Sequence, residues 1–159
     1  LLGVVSAYPL WNNAILPVLF VVSALSAGLA ATSLVCLITD RERFEQMWLI
    51  KKSHVILSAI EMVVLATMLI IVSSGSPEGA ASVASLVSGQ YAPMFWGGLV
   101  LLGLVAPFAI EGYPVFVTRK VETSTTSMVV SVIGEGGVLV GGFMLRLLVI
   151  LAALPVLYL

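Results

Sequence analysis

Four stretches of apolar sequence run through this chain, each long enough to cross a bilayer, and three of them contain ionisable residues. A spanning helix needs about 20 predominantly apolar residues. The stretches at about 14–39, 49–74, 93–118 and 126–155 meet that length, which predicts an all-α integral membrane protein with four transmembrane helices in an up-down bundle. Only 9% of the 159 residues are charged and 60% are hydrophobic. Soluble domains carry about 25% charged residues, so this balance excludes a soluble fold. With seven Lys and Arg and a net charge of −1, no basic tract is present for nucleic acid.

The first stretch follows the turn Pro9-Leu10-Trp11-Asn12-Asn13 and stops at Asp40-Arg41-Glu42-Arg43. Pro17 falls in its first turn, where a missing N–H costs little. Pro107 and Pro114 fall inside the third and should kink it. The segment 75–92 is expected outside the membrane. Its small apolar run from Ala80 to Val87 is too short to span and reads either as a short interfacial or re-entrant helix or as a plain loop.

Loop charge sets the expected orientation. Arg41, Arg43, Lys51 and Lys52 are assigned to the first loop, and Arg119 and Lys120 to the third, with none in the second loop or at the termini. Positive loops stay in the cytoplasm, so both termini are expected on the non-cytoplasmic side. The chain opens Leu1-Leu2-Gly3 without a recognisable signal peptide and is expected to be a portion of something longer.

Ionisable residues inside membrane spans are costly and usually face a bundle interior or a polar path. Glu61, Glu111 and Glu135 lie on three different helices, and rise per residue places them at similar depth in the cytoplasmic half. His54 and Ser58 share a helical face with Glu61, and Glu135 shares one with Arg146 and Gly142. Two readings stay open for these groups. Glu61, Glu111, Glu135 and His54 form a proton path, because carboxyl and imidazole groups take up and release protons. Alternatively, each Glu bonds a neighbouring helix as structural glue, and His54, nearer the interface, has only an interfacial role. Arg146 either snorkels to the far interface or contacts a ligand or partner. Trp11, Tyr8, Tyr91, Trp96 and Tyr158 read as an aromatic belt, with some of them facing a quinone head group as the alternative; Trp48 belongs to the opposite belt.

Cys36 and His54 are the only residues of their kinds. Neither an internal disulfide nor a haem held by two histidines can be built from this chain alone. No hydrolase constellation, phosphate loop or metal-ligand spacing stands out, and no metal or haem is expected on the chain.

Three segments, in order, carry a family resemblance. Trp11-Asn12-Asn13-Ala14-Ile15-Leu16-Pro17, continuing to Ser23 and Gly28, resembles the helix that opens the second half of NrfD-type proteins, the membrane subunits of polysulfide reductase and related respiratory complexes. Phe95-Trp96 with Gly103 and Pro107 is similar to the next-to-last helix of that half, and Gly141-Gly142-Phe143-Met144-Leu145-Arg146 to its final helix. The resemblance implies that residues 1–159 form one four-helix bundle of a larger subunit with eight or more helices, in the prokaryotic cytoplasmic membrane. Such a subunit exchanges electrons between a quinone pool (menaquinone or ubiquinone) and an iron–sulfur subunit, which often serves a molybdopterin catalytic subunit or works beside cytochrome subunits. It is not catalytic alone. The family's best-attested quinone pocket belongs mainly to the first bundle, so its residues have no counterpart here; Trp11, Asn12 and Arg146 are the positions at which a quinone or partner contact is expected. Two rival functions stay open: a fragment of a proton-coupled secondary transporter, and a purely structural membrane anchor.

Overall fold

The computed structural model describes residue 8, residues 10–39, 48–113, 116 and 125–153. In these, α1 (Ile15–Thr39), α2 (Trp48–Gly75), α4 (Met94–Tyr113) and α5 (Thr125–Leu151) are each long and apolar enough to cross a membrane. They agree with the four expected spans to within a residue or two at most ends. The last span stops at Leu151 rather than 155, and Pro114, Pro155 and Tyr158 lie outside the described residues. The segment 75–92 contains a helix, α3 (Pro77–Val87). Ser76 caps it by accepting from the Gly79 N–H at 3.0 Å, Pro77 occupies its first turn and Glu78 complements its dipole.

The inward faces repeat every seven residues. On α1 the buried positions are Leu16, Leu19, Ser23, Ser26, Ala30, Ser33 and Leu37. On α2 they include Lys51, His54, Ser58, Glu61, Leu65, Met68 and Val72. Spacings alternating three and four keep one narrow stripe on the neighbouring helix, as in coiled-coil seams. The outward faces are apolar, with Val18, Val21, Leu25, Val35 and Ile38 exposed on α1. This suits a lipid environment, where apolar surface carries no penalty.

Lys51 and Lys52 were expected in the first loop, but both belong to α2, and Lys51 is buried, 3% exposed. Arg41, Arg43, Arg119 and Lys120 lie outside the described residues.

The expected disturbance at Pro107 takes a specific form. From Met94 to Val105, α4 is wound as a π-helix, in which each N–H reaches five residues back, and it becomes an α-helix at Ala106. The Ala106 N–H bonds the Leu101 carbonyl. By the same register Pro107 would serve the Leu102 carbonyl, but proline has no N–H. That carbonyl instead faces Gly137 of α5, where a methyl group would lie 2.5 Å from it. Glycine there admits the carbonyl against the backbone of α5, in the geometry of a weak Cα–H···O contact. One turn along, Gly103 and Gly141 pack backbone to backbone. These two approaches bring α4 against α5, and Glu111 against Glu135.

Candidate functional site

α2, α4 and α5 each contribute one side chain to a sealed cluster. His54 Nδ1 lies 2.6 Å from Glu111 Oε2 and 3.3 Å from Glu135 Oε2. All three residues are at most 1% exposed. His54 is thus buried inside the bundle, where it joins two carboxyls from two other helices. Lys51, one turn earlier on α2, donates from Nζ to Ser131 Oγ at 2.7 Å and lies within Coulombic range of Glu111 and Glu135. Ser33 of α1 lies against Glu135 without reaching hydrogen-bonding geometry. Among the described residues, both ring nitrogens of His54, Glu111 Oε1 and both carboxyl oxygens of Glu135 are buried without a partner in hydrogen-bonding geometry.

Glu61 stands apart from this cluster. It is seven residues beyond His54 on α2, about 10 Å along the axis, and the single layer of three carboxyls expected from depth resolves into two stations. The second station consists of Glu61, Ser23 of α1 and Arg146 of α5. Arg146 does not extend outward. Its guanidinium turns back along α5 to donate to the Gly142 carbonyl at 2.6 Å and lies 6.0 Å from the Phe20 ring centroid. Gly142 leaves room for this: a methyl group there would sit 3.3 Å from the guanidinium nitrogen. A cation over an aromatic face, bonded to a carbonyl and in range of a carboxylate, is compensated on three sides.

The remaining sequence candidates are built into the fold in other ways. The Trp11 indole N–H donates to the Val149 carbonyl at 2.8 Å, and its ring stacks on Tyr8 with centroids 4.3 Å apart. That donor is already engaged, and it ties the segment before α1 to the end of α5. Asn12 is exposed, its backbone N–H bonded to the Tyr8 carbonyl. Its neighbour Asn13 caps α1, accepting from the Ile15 N–H at 2.9 Å. The Trp96 N–H bonds the Val87 carbonyl at 2.9 Å. Trp96 also lines an apolar groove of about 300 Å³ between α2, α3 and α4, with Met62, Leu65, Ala66 and Phe95 among its walls. The groove suits a hydrocarbon chain and offers no charged group to a head group.

His54, Glu111 and Glu135 can each point one ligand atom at a common centre, all within 4.8 Å of one another. Sequence spacing gave no sign of this set, because its members come from three helices. Two ligands on a tetrahedral zinc ion stand about 3.4 Å apart at bond lengths near 2.0–2.1 Å. The 2.6 Å separation of His54 Nδ1 from Glu111 Oε2 is closer than that: it is an ion-pair distance, with the ring nitrogen outside hydrogen-bonding geometry. The cluster as it stands sets one imidazole against two carboxyls.

The family description "Polysulphide reductase, NrfD" matches residues 1–157. The chain belongs to the NrfD family. A curated relative, the "Protein NrfD homolog" of Haemophilus influenzae, is 26% identical over 154 residues, covering 96% of this chain and 46% of that protein. The chain thus spans about half the length of the curated relative it matches. No solved structure matches it. Membership agrees with four membrane-crossing helices and with the resemblance carried by the segments at Trp11, Phe95 and Gly141.

Proposed function

We propose that this chain is one four-helix bundle of a larger NrfD-type membrane subunit in a quinone oxidoreductase complex. The complete subunit passes electrons between the quinone pool and an iron–sulfur partner that serves a catalytic redox subunit, and this bundle carries the accompanying protons. The observation that carries the reading is the sealed His54–Glu111–Glu135 cluster. An anchor gains nothing from burying these three groups, since lipid-facing or packed Leu would hold the helices together at less cost.

A quinol bound to the complete subunit gives up two electrons and two protons on oxidation. The residues of this bundle handle protons only. His54 accepts a proton at Nδ1 or donates one from it, and Glu111 Oε2 and Glu135 Oε2 are its two alternative partners. Lys51, with its ammonium on Ser131, sits at the end of the cluster nearest the start of α2. If the first and third loops face the cytoplasm, Lys51 marks the cytoplasmic entrance and Glu61 with Arg146 lies deeper.

The test uses the complete subunit expressed with its neighbours in native membranes. Extraction in mild detergent should bring along an iron–sulfur protein and a catalytic redox subunit. Glu111→Gln, Glu135→Gln and Glu61→Gln should each lower quinol-linked turnover of the assembled complex at least tenfold. Full turnover in all three would leave the carboxyls as structural glue. A subunit that arrives without redox partners, yet drives solute uptake in liposomes, would favour the transporter reading.

A further inference from the structure

The inward face of α1 carries three serines that the two stations alone do not explain. Ser23, Ser26 and Ser33 are at most 1% exposed, and among the described residues none of their hydroxyls has a partner in hydrogen-bonding geometry, although Ser23 faces Glu61 and Ser33 faces Glu135. A hydroxyl in a membrane helix ordinarily bonds back to the carbonyl one turn earlier. The outward threonines of the same helix do so: Thr32 reaches the Gly28 carbonyl at 2.9 Å and Thr39 the Val35 carbonyl at 2.8 Å. The inward serines make no such bond. Buried polar groups without protein partners are where internal water is found.

Their placement is directional. Ser33 lies against Glu135 in the first station, and Ser23 against Glu61 in the second. Ser26 stands between them, and Ser58 of α2 is buried between His54 and Glu61. The intervening positions are small. Ala30 separates Ser26 from Ser33, and a methyl group on Gly142 would lie 3.6 Å from the Ser23 hydroxyl and 3.8 Å from Ala27. From Ser33 to Ser26 is two turns, about 10 Å, and from Ser26 to Ser23 about 4.5 Å. Hydrogen-bonded oxygens stand about 2.8 Å apart, so no serine reaches the next directly, whereas about three waters would span the longer distance and one the shorter.

We propose that Ser23, Ser26 and Ser33 bind a file of internal water molecules that joins the His54–Glu111–Glu135 cluster to Glu61. Each hydroxyl both donates and accepts, so it holds a water on either side and keeps the file continuous. The serines are positioning residues, and their role in proton transfer rests on the reading of the carboxyls given above.

The experiment uses the assembled complex, with redox-induced infrared difference spectra recorded in H₂¹⁶O and H₂¹⁸O, and quinol turnover measured in parallel. Wild type should show O–H bands that shift with the oxygen isotope. Ser26→Val removes the hydroxyl and fills its space; it should abolish at least one such band and lower turnover at least tenfold. Ser26→Ala, which adds no volume and so tests the same point if the valine variant does not assemble, should lower turnover severalfold. Isotope-insensitive spectra in wild type, or unchanged bands and turnover in both variants, would overturn the inference. Silent Glu61→Gln and Glu135→Gln variants alongside lost water bands in Ser26→Val would retain the water file and refute its proton role. Slowed Glu variants alongside silent Ser26 variants would do the reverse.

Discussion

Gly141→Ala should loosen the contact that aligns the two glutamate-bearing helices. A methyl group added to Gly103 would lie 2.5 Å from the Gly141 Cα, and one added to Gly141 would meet the Gly103 backbone at least as closely. Ordinary carbon contacts are about 3.5–4.0 Å, so α4 and α5 must part by about 1 Å. No side chain can rotate away, because backbone opposes backbone. Overpacking of this kind costs about 1–3 kcal/mol, and alanine's better helix propensity returns about 0.5–1 kcal/mol, leaving a net loss of up to about 2.5 kcal/mol, about 1 kcal/mol at the middle of both ranges. Gly136, five residues earlier on the same helix, has nothing within 4 Å of where a methyl group would sit. Gly136→Ala should therefore be neutral or slightly stabilising. Unfolding the protein by titrating a denaturing detergent into mild-detergent micelles, followed by fluorescence of its three tryptophans, measures both. Equal stabilities of the two variants, or a Gly141→Ala loss below about 0.5 kcal/mol, would refute the close approach of α4 to α5. A 1 Å displacement at Gly141 also moves Glu135 relative to Glu111, so turnover of the complex should fall with stability.

Other perturbations have equally definite outcomes. Trp11→Phe keeps the ring and removes the donor to Val149; it should cost about 0.5–1.5 kcal/mol and speed amide exchange across residues 10–14. Ser131→Ala takes from Lys51 its hydroxyl partner at 2.7 Å and should destabilise the bundle by about 1–3 kcal/mol, while Ser131→Thr should retain most of the stability. His54→Ala leaves Glu111 and Glu135 facing each other without the imidazole. Breaking a buried charged pair costs about 3–5 kcal/mol, so the same unfolding titration should show the largest loss of any single cluster variant, and a loss under 1 kcal/mol would mean that the three groups do not interact.

The spans were legible because they are a property of composition and length, and the candidate groups because any ionisable residue stands out against such a background. What was not legible was which groups meet. Rise per residue fixes depth along one helix but not the rotation of that helix about its axis. Depth along α2 accordingly left His54 open between an interfacial role and a proton path, and could not show that Glu111 and Glu135 both approach its Nδ1. Lys51 misled for the opposite reason: a lysine at the edge of an apolar run reads as interface, yet its long stem lets the ammonium reach inward to Ser131. The serines of α1 drew no notice, because Ser at membrane-helix interfaces is ordinary packing. The signal that could have found them is the repeat itself, with Ser23, Ser26 and Ser33 on the same three-four stripe as Leu16, Leu19, Ala30 and Leu37.

That stripe has a polarity that runs through the whole bundle. On α2 the buried sequence goes from Lys51, His54, Ser58 and Glu61 to Leu65, Met68 and Val72. On α5 it goes from Ser131 and Glu135 to Val138, Leu145 and Leu148, and on α4, read backwards, from Glu111 to Leu104, Leu99 and Phe95. α1 runs opposite to α2 and α5, and its buried residues go from Leu37 through Ser33, Ala30, Ser26 and Ser23 to Leu19 and Leu16. The buried polar groups of the four spans thus gather in the half where α2 begins, beneath a small apolar cap of Leu37, Ile50 and Met128, and the other half is mainly apolar inside. Helix packing alone needs no such agreement, since each seam could place its polar residues anywhere the heptad allows. Four helices placing them at the same end gives the buried polar groups one another as partners, and it leaves the Leu65, Met68, Leu16, Leu19 and Leu145 cluster as a dry barrier across the other half. Glu61 and Arg146 stand at that boundary. A carboxyl held there has a polar seam on one side and close-packed hydrocarbon on the other, so on the reading proposed above protons would reach it and leave it by the seam.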